Sequence, residues 1–146
     1  MPAASIFGYK DARTLEYAKN LGLAFQLTNI IRDVGEDARK NRIYLPMEDL
    51  KQFGVPASDI LNANETPDFK RLLAFEASRA QEFYEKAFRA LPPADRRAQR
   101  AGLIMAAIYR TLLEEIQRDG FRVLKTRTSL TPIRKLWIAW KTYVTA

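Results

Sequence analysis

The sequence predicts an all-α protein, and three observations carry that prediction. Apolar residues recur at the three-to-four spacing of amphipathic helices, strand-like alternation is nearly absent, and Pro and Gly gather between the periodic stretches. With 146 residues, 47% of them hydrophobic, the chain has the size of one domain with its own core. Eight Phe, six Tyr and two Trp beside 28% charged residues exclude a disordered chain, and six Gly with seven Pro exclude a collagen-like or low-complexity one.

The first helix is expected from about Asp11, a plausible N-cap, through Leu15, Ala18, Leu21, Phe25 and Ile30 to about Asp37. Pro46, Gly54, Pro56 and Pro67 then break the pattern and leave room for a short helical turn near Glu48 to Phe53. A long helix follows Pro67, with Leu72, Leu73, Phe75, Ala80, Phe83, Ala87 and Phe88 as its apolar positions, and Pro92-Pro93 ends it. The next spans about Ala94 to Asp119, with Leu103, Ile104, Ala107, Ile108, Leu112 and Ile116 on its apolar face and Gly120 as its stop. The last, about Pro132 to Val144, sets Trp137 and Trp140 beside Arg134, Lys135 and Lys141. Together these give stacked antiparallel helices.

The chain has no Cys and no His, so disulfides, zinc-thiolate and imidazole sites are excluded and any metal must be held by oxygen, which suits Mg²⁺ where phosphates share the coordination. The formal charge of +7 suits an anionic partner. No nucleic-acid partner is expected, because no binding motif is recognisable and the acids cluster where phosphate would be repelled. After Asp119 there is no acidic residue, whereas Arg122, Lys125, Arg127, Arg134, Lys135 and Lys141 all follow it. The start, Met1-Pro2-Ala3-Ala4, does not read as a signal peptide, and no window is long and apolar enough to span a bilayer. The expectation is a cytoplasmic protein, soluble or peripheral to a membrane. The Trp137/Trp140 pair suits either packing or a membrane interface.

At about 100° per residue, Gly22, Gln26, Asn29, Asp33 and Asp37 fall within an arc of roughly 80°, with Glu36 at its edge. Leu21, Leu23, Ala24, Phe25, Leu27, Ile30 and Ile31 surround this stripe, so the helix is expected to be mostly buried with the stripe facing a polar pocket. Like charges four residues apart, near a helix C-terminus, also need compensation by cations or by Arg32, Arg39, Lys40 or Arg42. A solvated helix end, salt-bridged to those bases, is the plain alternative.

The run Leu21-Gly22-Leu23-Ala24-Phe25-Gln26-Leu27-Thr28-Asn29-Ile30-Ile31-Arg32-Asp33-Val34-Gly35-Glu36-Asp37, continuing through Arg42-Ile43-Tyr44-Leu45-Pro46, resembles the signature of the squalene/phytoene synthase family without a gap. Ile6-Phe7-Gly8-Tyr9, Ile108-Tyr109-Arg110 and the segment from Gly120-Phe121 to Ser129-Leu130 are similar to that family too. The look is closest to bacterial presqualene diphosphate and phytoene synthases. The resemblance implies the C-terminal portion of the class I isoprenoid (terpenoid) synthase fold. The implied activity is that of a prenyltransferase, a Mg²⁺-dependent head-to-head (1′-1) coupling of two farnesyl or geranylgeranyl diphosphates in squalene, hopanoid or carotenoid biosynthesis. It implies that Asn29, Asp33 and Asp37 bind Mg²⁺ bridging to the prenyl diphosphate, that Gln26 lies in the pocket wall, and that Arg32 and Arg42 sit near the diphosphates. Tyr44 and Tyr109 would line the substrate cavity, with Asp33, Asp37 and Tyr109 in catalytic roles. An aromatic in a helix otherwise rich in Leu and Ile is more often a core residue, which is the alternative reading of Tyr109. Arg127 matches a diphosphate-contacting arginine or a solvated loop residue.

Family members carry an earlier helix with another aspartate-rich motif, and Glu48-Asp49 and Glu114-Glu115 lack its spacing. Residues 1–146 are thus expected to be the C-terminal part of such a synthase domain, inactive alone. Such a part should self-associate or pair with the missing N-terminal part, because helices made to pack against absent neighbours expose apolar surface. The alternative is a non-catalytic helical relative acting as an interaction or assembly module, against which the acidic stripe speaks.

Overall fold

A computed structural model describes residues 12–145 of the chain. Asp11, the expected first N-cap, and the Ile6-Phe7-Gly8-Tyr9 segment lie outside the described residues. The helices are α1 (Ala12–Arg32), α2 (Val34–Arg39), α3 (Met47–Phe53), α4 (Ala57–Leu61), α5 (Pro67–Ala90), α6 (Arg100–Arg118) and α7 (Pro132–Thr145), with a 3-10 turn at Pro93–Asp95. No strand occurs among the described residues.

Local chemistry sets the boundaries. Thr66 caps α5 by accepting a hydrogen bond from the Phe69 amide at 3.1 Å, and Pro67 occupies the first helical position, where its missing N–H costs nothing. Gly120 follows α6 with φ +75°, the left-handed conformation that lets the chain reverse. The structure corrects the expected elements in three places. The first helix is not continuous to Asp37, because Asp33 (φ −99°, ψ 9°) separates α1 from α2. A five-residue helix, α4, lies in the Pro- and Gly-broken segment. The third long helix starts at Arg100 instead of Ala94.

The core is built on α5. Thr28 of α1 shares a 2.8 Å hydrogen bond with the Tyr84 hydroxyl, and Thr14 donates to Asp95 at 2.6 Å, so α1 runs antiparallel to α5. Phe25 meets Tyr109 edge to face at 5.0 Å, and a Cβ on Gly102 would press on Tyr17 and Leu21, so α1 and α6 run in the same direction. Arg134 pairs with Glu115 at 3.0 Å while Arg100 lies over the Tyr143 ring, which sets α7 antiparallel to α6. Leu72, Leu73, Ala77, Ala80, Tyr84 and Ala87 of α5 are all buried at the centre of this array.

Candidate functional site

The buried residues of α1, namely Thr14, Tyr17, Asn20, Leu21, Ala24, Thr28 and Ile31, fall on an arc of roughly 120°. The stripe Gly22, Gln26, Asn29, Asp33 is centred roughly 150° away from it. The stripe therefore lies opposite the packed seam. Gly22, Leu23 and Gln26 are exposed, which corrects the expectation that most of this helix is buried. One side of α1 packs on α5, and the other is an open polar face.

Asp33 is the electrostatic centre of that face. Arg32 donates to it twice, Nε to Oδ1 at 2.8 Å and Nη2 to Oδ2 at 3.0 Å, and Arg127 Nε lies 3.3 Å from the same Oδ1. The Arg32 hydrogen bond, reinforced by the charges of Arg32 and Arg127, holds the Asp33 carboxyl below the usual range against the opposing effect of burial. Asp37, one turn on, is pushed the other way, first by burial and then by the charge of Asp33. Two neighbouring carboxylates thus differ in proton affinity. Asn29 adds a buried side-chain oxygen that has no hydrogen-bond partner.

Arg127 reaches Asp33 because of a backbone contact distant in sequence. A Cβ at Gly35 would land on the carbonyl oxygens of Val123 and Leu124, closer than van der Waals contact allows, so only glycine lets α2 lie against this loop. Arg39 fixes the same place by donating to the Leu124 carbonyl at 3.2 Å. Val123 and Leu124 are buried, and the chain leaves them as an exposed stretch ending at Arg127.

The open face is bordered by two recesses. One, of about 180 Å³, is lined by Arg32, Tyr109, Arg127, Ser129 and Lys135 with Ile108, Leu112 and Leu130 as its apolar part. The other, of about 160 Å³, is mostly apolar and lined by Leu23, Gln26, Leu27, Ile30, Tyr44 and Phe83, with Glu76 and Arg79 at its edge. The structure thus gathers Arg32, Tyr109 and Arg127 on one flank and Gln26 and Tyr44 on the other, with Asn29 and Asp33 between. Asp37 and Arg42 face a narrow crevice with Ile43 and Tyr44 instead.

Sequence reasoning missed Lys135, Gly35 and Glu76. Lys135 reads only as a basic residue of the last helix, and Gly35 as part of a motif with no stated purpose. Glu76 is fully buried, with its Oε2 3.5 Å from Arg79, and burial followed by contact with Asp49 raises its carboxyl to about 8. An acid on an otherwise regular helix gives no signal of burial.

Asn29, Asp33 and Asp37 form an oxygen-only set with an unpartnered amide oxygen and a carboxylate crowded by another, which fits a hard cation. The set is partial: among the described residues no group of three or more Asp, Glu, His or Cys converges on one point.

The model of the squalene/phytoene synthase family matches residues 3–134. A phytoene synthase of Arthrospira platensis is 40% identical over 124 residues, covering 83% of this chain and 39% of the relative. A phytoene synthase of Mycobacterium tuberculosis is 40% identical over 138 residues, covering 92% of this chain and 46% of the relative. Among solved structures, a dehydrosqualene synthase in complex with ligand superposes with a TM-score of 0.74 at 30% identity, over 88% of this chain and 46% of that one. The chain spans less than half the length of each of these relatives.

Proposed function

The chain belongs to the squalene/phytoene synthase family, and from that membership we propose that it forms one wall of a head-to-head prenyltransferase site. The observation that carries this reading is the placement of Asn29 and Asp33 on an unpacked face of α1, with Asp37 one turn on at the adjoining crevice. A basic recess lies on one flank of that face and an apolar groove on the other. A prenyl diphosphate has matching parts: a doubly phosphorylated head for Arg32, Arg127 and Lys135, and a hydrocarbon tail for Leu23, Leu27, Ile30 and Phe83.

Asn29, Asp33 and Asp37 would hold Mg²⁺, which when bound neutralises the diphosphate so that it can leave. Arg32 has two tasks, since it pairs with Asp33 and also lines the recess; with Arg127 it keeps Asp33 ionised and presents positive charge to the departing group. Tyr109, held edge-on by Phe25, walls the recess beside the carbon skeleton. The allylic cation left behind would be captured by the C2=C3 double bond of a second prenyl diphosphate, loss of a proton would close a cyclopropane, and departure of the remaining diphosphate with rearrangement would give the 1′-1 bond. The exposed Leu23, Tyr44 and Met47 beside the groove mark where the rest of the catalytic fold docks, bringing the other acidic motif.

The test compares this chain alone with the chain joined to the N-terminal portion of a family member. Each is supplied with Mg²⁺ and farnesyl or geranylgeranyl diphosphate, and products are identified by mass. The chain alone should give no coupled product and the joined protein should give one. Asp33→Asn in the joined protein should lower turnover by roughly 10²–10³. Turnover unaffected by Asp33→Asn would refute the assignment.

A further inference from the structure

The short helix α3 is held on α5 by two unlike contacts. Toward its end, Leu50 is buried and Phe53 meets the Phe75 ring at 5.2 Å. Near its start, Asp49 accepts from Arg79 at 3.1 Å and lies against Glu76, whose Oε2 is 3.5 Å from the same guanidinium nitrogen. Glu76 is fully buried, Asp49 is only 14% exposed, and Glu76 Oε1 has no hydrogen-bond partner.

Two carboxylates beside one guanidinium leave one negative charge uncompensated in the interior, so one of the acids keeps a proton. Burial, followed by contact with Asp49, raises Glu76 to about 8 against the pull of Arg79, which makes Glu76 the acid that keeps it. The groups around it that titrate or carry charge are Asp49 from α3 and Arg79 from α5, with Tyr44 on the same recess. From α1 that recess receives Leu23, Gln26, Leu27 and Ile30, none of which titrates.

The strap before α3 is tied to this contact. The Asp49 and Leu50 amides both donate to the Pro46 carbonyl, at 3.0 and 3.1 Å, so the start of α3 and Pro46 form one unit. Pro46 and Tyr44 line the apolar recess of about 160 Å³ together with Glu76 and Arg79. At the other end of α3, beside the Phe53 contact, Gly54 stops the helix at φ +65°. The polar contact therefore lies next to the recess and the apolar contact next to a turn that can act as a pivot.

We propose that Glu76 and Asp49, sharing one proton beside Arg79, are positioning residues that latch α3 and residues 44–46 over the apolar recess, and that loss of the proton to solvent releases them. Once both acids are ionised they repel, the start of α3 lifts about the Phe53–Phe75 contact, and Tyr44 and Pro46 leave the rim. The latch is complete where Glu76 is protonated and is lost as pH rises through about 8. Use of the recess for a hydrocarbon tail rests on the functional reading above, whereas the latch does not.

The test follows amide hydrogen exchange of the full chain, corrected for the intrinsic effect of pH, at about pH 6 and about pH 9. Protection of α3 should fall roughly tenfold or more while that of α6 is unchanged. In Glu76→Gln, whose amide donates to Asp49 without titrating, α3 should be equally protected at both. Carbon-13 labels on the glutamate carboxyls give a second readout in the unaltered chain: one resonance should titrate near pH 8, and Asp49→Asn should move it to lower pH. Equal loss of protection in α3 and α6, or a loss that persists in Glu76→Gln, would overturn the proposal. So would glutamate resonances that all titrate below about pH 6, or a late resonance indifferent to Asp49→Asn. None of these readouts uses prenyl diphosphate, so an inactive joined protein would strike the functional reading and leave the latch standing.

Discussion

The two sides of α1 follow opposite rules. Toward α5, Tyr17, Leu21, Ala24, Thr28 and Ile31 alternate at spacings of four and three, and each is held by contact with neighbours. On the far side, Gly22, Gln26, Asn29 and Asp33 repeat at similar spacings but pack on little, and Asp33 is held by two arginines instead. The periodicity is the same and the forces differ. Apolar contact fixes the first side to one geometry, whereas the second is kept polar and open, which suits a ligand better than a neighbour.

The largest break in that contrast should come from the packed side. Ile31→Ala removes a fully buried side chain, and chemical denaturation should show a loss of about 2–5 kcal/mol. An effect below that range would mean that α1 is not anchored through this seam.

Acid and base titration sharpens the contrast further, because Glu76 and Asp33 shift in opposite directions. Glu76 is raised from 4.5 to about 8 by burial and contact with Asp49, so its contribution is full below about pH 4.5 and is lost as pH rises through about 8. Asp33 is lowered, so its contribution is present above its ordinary value of 3.8 and lost as pH falls through its depressed one. Denaturation midpoints should therefore decline from about pH 4.5 to 8 and level off above. Glu76→Gln should flatten that decline, and a slope that survives the substitution would assign it elsewhere.

Gly35→Ala tests what joins the open face to the rest of the molecule. Its methyl meets two backbone carbonyls, so stability should fall by about 1–3 kcal/mol. The loop carrying Lys125 and Arg127 should be cut faster by trypsin. Asp33→Asn should have the smallest effect on folding, under about 1 kcal/mol, because its ion pairs are partly exposed. A large loss there would make Asp33 part of the scaffold and weaken its assignment to ligand binding.

The long helices and the stripe were legible because both depend on local repeats: α5 follows its cap and Pro67, and the stripe follows the helical turn. What sequence could not show depends on encounters between distant residues. Nothing near Asp33 announces that α1 breaks there, since the amide hydrogen bonds from Asp33 to Asn29 and from Asp37 to Asp33 both persist through the break. Leu23 is exposed, against expectation, because hydrophobicity alone does not specify contact and no described helix covers this side of α1. Membership of the family was legible in the run from Leu21 to Pro46. The roles proposed for Asn29, Asp33 and Asp37 toward a metal rest on that resemblance together with the partial oxygen set.

The anchoring of the loop after α6 limits which changes of length the sequence can tolerate. The chain is pinned where Leu124 meets Gly35 and Arg39, and Arg127 must bridge from there to Asp33 across only Lys125 and Thr126, both exposed. Each residue of extended chain spans about 3.3–3.6 Å. Deleting one would withdraw the guanidinium by about as much as its present 3.3 Å separation from Asp33, and inserting one would let it overshoot. The span therefore constrains the number of residues at 125 and 126 more than their identity, Thr126 making one local bond from its hydroxyl to the Arg122 carbonyl, whereas insertions after Leu130 leave this span unchanged.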